Sequence, residues 1–153
     1  MKLLSKKVLA VLAVVAFVGL MATSCNKYDK MPILGTWEMD VKAIQNSSVD
    51  SCKEVLTFDS GSNPNFTQNY MERMDGRLTA HWTIQGKIER KNNHINFYNR
   101  VQTEGNVTKN LGDLECKYKI ENDQLILINK SFEADGYPDG KKIYSKKELN
   151  QKH

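Results

Sequence analysis

Three cysteines and three histidines are the side chains of this 153-residue sequence best suited to nucleophilic, redox or metal chemistry. His81, His94 and His153 stand in separate segments, none with a Cys, Asp or Glu at metal-ligand spacing, so no metal site is expected. The serines sit in no Gly-x-Ser-x-Gly elbow, and no glycine-rich phosphate loop is present. Carboxylates fall singly on polar positions, where solvated surface is their ordinary role. These absences predict a protein that is not an enzyme and holds no cofactor. Cys52 and Cys116 form an even pair once Cys25 is set aside. In an oxidising compartment a bridge between them would close a loop of over 60 residues. By chain entropy that closure would supply about 3–4 kcal/mol. The alternative is two separate buried thiols.

Cys25 has a different context. Lys2, Lys6 and Lys7 precede an apolar stretch, 8–22, which ends in Thr23-Ser24-Cys25. A positive start, a short apolar core and small residues at its end describe a secretory signal peptide. The core is shorter than the roughly 20 residues a spanning helix needs. Met21-Ala22-Thr23-Ser24-Cys25 resembles a bacterial lipobox, in which cleavage falls before a cysteine that then carries acyl chains. The position usually held by Leu is Ala22 here, with Leu20 and Met21 adjacent. The resemblance implies a signal peptide over 1–24, a lipid on Cys25 and a polar tether over 25–32. Two or more acyl chains give durable attachment without a spanning helix. It further implies a place in the cell envelope, at the outer membrane of a Gram-negative cell. The absence of an acidic run after the cysteine favours its periplasmic face.

The average composition hides this division. The whole chain is 40% hydrophobic and carries a net charge of +4. Residues 1–24 hold 17 of the hydrophobic residues, three lysines and no acid. The remaining 129 residues have 22 − 3 = 19 basic side chains against 18 acidic ones. A nearly neutral body lacks the concentrated basic footprint that nucleic-acid binding requires. The lysines near the end (Lys141, Lys142, Lys146, Lys147 and Lys152, against Glu148) form a solvated strand face or a contact for anionic lipid.

The elements that must position any site read as strands. Period-2 alternation recurs from Ile33 onward, and no segment shows a convincing 3.6 period. Strands are expected at 37–43, 53–59, 66–70, 78–88, 95–101, 114–120, 124–129 and 141–147. Turn signals separate them: Asp75-Gly76, Asn92-Asn93, Asn122-Asp123 and Pro138-Asp139-Gly140. The connections are too short for the crossovers of parallel strands. Eight antiparallel strands with one apolar face each can close into an up-and-down β-barrel, with a two-sheet sandwich as the alternative.

Leu34-Gly35-Thr36-Trp37, at the start of the first strand, resembles the Gly-x-Trp signature of lipocalins and related calycins. The succession over 33–148 is similar to the lipocalin-like domains of small bacterial envelope lipoproteins, leaving 149–153 as a tail. The resemblance implies a barrel that binds a small hydrophobic or amphipathic molecule. Lipocalins place a late arginine on the tryptophan. No arginine follows Arg100 here, so Lys142 or Lys146 would take that place.

In this register Trp37, Met39, Phe58, Tyr70, Trp82, Phe97 and Tyr118 point inward. They either line a ligand cavity or fill the core. Gln68 and Asn99, polar at inward positions, mark ligand hydrogen bonds or strand irregularities. The expected partners are the membrane, through Cys25, and a small hydrophobic ligand. The competing reading is a filled barrel whose surface contacts another envelope protein or a glycan.

Overall fold

The structure, a computed structural model, describes residues 33–41, 49–59 and 65–148. The segment 1–24, Cys25, the tether and the tail with His153 lie outside the described residues. Nine strands run in chain order: β1 (Gly35–Asp40), β2 (Ser51–Phe58), β3 (Asn65–Met74), β4 (Arg77–Lys91), β5 (His94–Glu104), β6 (Val107–Leu111), β7 (Leu114–Glu121), β8 (Gln124–Ile128) and β9 (Lys141–Lys146). Every pairing is antiparallel. Neighbours in sequence pair from β1 to β5, β5 pairs with β7, and β7, β8 and β9 lead back to β1. The result is a closed eight-stranded barrel, in which β1 to β5 and β7 to β9 each have a neighbour on both sides.

The ninth strand, β6, is the addition that alternation does not predict. It pairs with Arg100–Glu104, on the same edge of β5 that β7 occupies from His94 to Phe97. Four of its five residues are exposed, so no apolar face announces it. β6 and β7 act as one strand interrupted at Gly112-Asp113.

The tight turns follow their sequences. Asp75, Asn92, Asn122 and Asp123 all take positive φ, the conformation that two-residue hairpin turns demand and that Asn and Asp tolerate. The connection between β8 and β9 is longer and holds two 3-10 turns, Lys130–Glu133 and Pro138–Gly140. Asn129 caps the first by accepting from the Ser131 amide at 2.7 Å.

One end of the barrel is packed solid. Ile33, Trp37, Phe58, Phe66, Ile88, Ile95, Tyr118 and Leu125 are all buried there. The Trp37 indole donates from Nε1 to the Ile33 carbonyl at 2.8 Å, tying the chain across the barrel's base. Lys146 takes the expected place over Trp37, its Nζ 5.8 Å from the ring centroid.

β5 departs from simple alternation at Asn99, whose φ is +51°. The register between β4 and β5 shifts there, opposite Gly86. A Cβ on Gly86 would lie 2.7 Å from the Tyr98 carbonyl oxygen and 2.8 Å from Phe66 Cε1. Only glycine lets the bulged backbone come this close. Asn99 is thus a strand irregularity. Beyond the bulge the parity of β5 inverts: Val101 pairs with exposed Gln85, and Arg100 turns inward. Strict alternation places Val101 inside and Arg100 outside, and the bulge reverses both.

Candidate functional site

The other half of the barrel is hollow. A cavity of about 480 Å³ lies between the barrel walls and the β8–β9 connection. Leu56, Phe66, Ile84, Phe97 and Leu127 form its apolar floor and sides. Tyr70 and Trp82, cross-strand partners on β3 and β4, stack with ring centroids 5.0 Å apart and planes 2° from parallel. Phe132 and Tyr137 cover it from the β8–β9 connection, and it reaches the surface beside exposed Ser131 and Asp135.

Of the seven inward residues, Tyr70, Trp82 and Phe97 line this cavity. Trp37, Met39, Phe58 and Tyr118 belong to the packed core. Met39 lies in one cross-strand row with Glu54, Tyr70 and Trp82 yet packs into the core, so strand parity and row alone do not separate lining from filling. Gln68 also reaches the cavity, where it hydrogen-bonds a buried carboxylate.

That carboxylate is Glu54, only 1% exposed, on the inward face of β2 between Cys52 and Leu56. Its Oε1 accepts from Gln68 Nε2 at 2.6 Å and from the Tyr144 hydroxyl. Lys142 Nζ reaches Oε2 at 3.0 Å and Oε1 at 3.3 Å. Lys142 in turn sits 5.1 Å from the Phe132 ring centroid and 4.8 Å from that of Tyr137. Two opposite charges are therefore buried as a pair, with hydrogen bonds filling the carboxylate's remaining capacity. This is the condition under which burial of charge is tolerated. Burial and the Glu54 charge push the Tyr144 hydroxyl well above its ordinary value, so it stays a donor. The late lysines thus divide. Lys142 is an interior residue, while Lys141 and Lys147 pair at the surface with Asp139 and Glu38.

A second cation lining the cavity is Arg100, half-buried and turned inward by the bulge. Its Nη1 donates to the Gly112 carbonyl at 2.8 Å, while its Nε is buried without an acceptor. No carboxylate among the described residues pairs with it.

The cysteines stay apart, which corrects the possible bridge. Cys52 and Cys116 are free, buried thiols. β2 and β7 are separated by three strands in either direction round the barrel, so the two residues occupy opposite walls. Burial raises both thiols, Cys116 to about 12, which keeps them protonated. His81 is exposed, and His94 lies 4.0 Å from Glu115 on the barrel's outer face. Among the described residues no group of three His, Cys, Asp or Glu could hold a metal ion. No described helix is long and apolar enough to cross a membrane.

Comparison with protein-family models, with curated proteins and with solved structures found no match. The fold and site nevertheless define a class: a small closed antiparallel barrel, consistent with a calycin-like fold, that encloses an amphipathic cavity over a packed base.

Proposed function

We propose that this protein is a lipid-anchored lipoprotein of the bacterial envelope with a lipocalin-like barrel, and that it binds a small hydrophobic or amphipathic molecule without chemically changing it. The cavity is the observation that carries this reading. At about 480 Å³, lined by aromatic and aliphatic side chains with a few convergent polar groups, it has the size and character of a small-molecule site. A filled barrel acting only through its surface would have no use for that volume.

The anchoring half of the proposal rests on the sequence at Cys25. Acylation there would hold the barrel at the outer membrane, on its periplasmic face, at the end of a short tether. Two measurements test the two halves separately. Cys25→Ala is expected to abolish fatty-acid labelling and to leave the protein in the soluble fraction; persistent labelling would overturn the anchor. Native mass spectrometry of protein purified from its own envelope is expected to show a co-purifying small molecule, released on denaturation. A bare mass, together with failure of apolar probes to bind, would overturn the binding reading.

A further inference from the structure

The cavity's two cations differ in one respect. Lys142 is matched by Glu54, and that carboxylate is saturated by Gln68 and Tyr144. Arg100 has a single carbonyl acceptor, an orphaned Nε and no carboxylate within ion-pair distance among the described residues. A guanidinium that lines an apolar cavity without a carboxylate partner is best met by an ionised acceptor, through its Nη groups. Resting on the reading of the barrel as a ligand site, we infer that the ligand is an amphiphile with an anionic, carboxylate-type headgroup. Arg100 receives that headgroup, and the ligand's apolar part lies among Phe97, Leu127, Trp82 and Tyr70.

The architecture supports this division of labour. Arg100 faces the cavity only because β5 bulges at Asn99, and the bulge fits only because residue 86 is glycine. The Gly112 carbonyl sits at the break between β6 and β7 and fixes one arm of the fork. The nearby charge of Asp113 is on an exposed residue, where water screens it. Glu54 does not compete for Arg100, being already held by Lys142. An anion entering beside Arg100 therefore meets a positive group without a carboxylate partner, whereas a neutral headgroup gains a weaker hydrogen bond and a cationic one is repelled.

Dodecanoate and dodecan-1-ol share a tail and differ in headgroup charge, so they separate tail from head. Their binding to the purified full chain can be followed by calorimetry and by the fluorescence of Trp82. Dodecanoate is expected to bind at least about tenfold more tightly than the alcohol at neutral pH, the scale of one charge-assisted hydrogen-bonded contact. In Arg100→Gln the acid-over-alcohol ratio should collapse toward one, and Arg100→Lys should keep part of it. An unchanged circular dichroism spectrum shows that each variant folds. If Arg100→Gln fails to fold, the comparison of wild type with Arg100→Lys still decides. A wild-type ratio near one, or a ratio that survives Arg100→Gln, would overturn the headgroup assignment while leaving the ligand site intact. Failure of both probes to bind would overturn the headgroup assignment together with the ligand reading beneath it.

Discussion

Trp37 and Trp82 are the chain's two tryptophans, both on inward positions of neighbouring parts of one barrel, and their surroundings have little in common. Trp37 is 1% exposed, hydrogen-bonded to Ile33 and packed at the base. Trp82 stacks on Tyr70 and turns its remaining surface to the cavity. The same strand alternation produces both. What differs is the filling: the base holds large side chains from many strands at once. The upper half instead places Glu54, Gln68, Lys142 and Arg100 among its aromatics, and charged groups that must keep hydrogen-bond geometry cannot interdigitate as hydrocarbon does. The lesson is that a barrel becomes a container where its interior residues stop being interchangeable hydrocarbon.

Truncating each tryptophan is the most direct way to break this contrast. Trp37→Ala should cost about 3–5 kcal/mol, because it removes a buried ring and leaves a hole in a close-packed base. Trp82→Ala should cost about 1–2 kcal/mol, since the ring already borders empty space and loses mainly its contact with Tyr70. Urea unfolding of the two variants measures the difference. Equal losses would mean that the upper half is packed as tightly as the base.

The ion pair offers a second, comparable break. Glu54→Ala leaves Lys142 buried without its partner, and about 3–5 kcal/mol of stability should go with it. Replacing both charges, as in Glu54→Leu with Lys142→Met, should cost much less than the single change, because no charge then remains to be solvated. A double variant as unstable as Glu54→Ala would show that the pair does more than satisfy itself.

The sequence made the barrel legible and the site only partly so. Alternation and turn residues were enough for eight strands, because each barrel strand has one apolar face and Asn or Asp at its tight turns. β6 was not legible, because a strand exposed on nearly every residue has no face to read. Glu54 and Lys142 carried an unused signal: each sits in step with inward apolar neighbours, Leu56 and Tyr144, and two inward charges of opposite sign make a pair. Arg100 gave no such signal. Its orientation depends on a bulge, and a bulge depends on how closely two strands approach at Gly86, which no pattern along one strand encodes.

The smallest expected effect separates the two halves by proton binding. Cys116 is buried on the wall opposite Cys52, and desolvation raises its thiol from 9.0 to about 12. Tyr137 and Tyr144, beside the cavity, are raised for the same first reason. An acid whose folded-state value lies above its unfolded value binds its proton more tightly in the fold. For Cys116 the stability this gives is complete below about pH 9 and is lost as pH rises toward 12, at about 1.4 kcal/mol per pH unit. For the tyrosines the loss begins about one unit higher, above their ordinary 10.0. Urea midpoints should therefore fall between pH 8 and pH 10.5, and Cys116→Ala should make the fall shallower without abolishing it, since Cys52 and the tyrosines remain. The same variant compared at pH 8 reports only the packing lost with the sulfur, which separates volume from titration. A slope unchanged by Cys116→Ala would place the alkaline loss on the other raised groups, Cys52 and the tyrosines around the cavity, and not on the wall that Cys116 occupies.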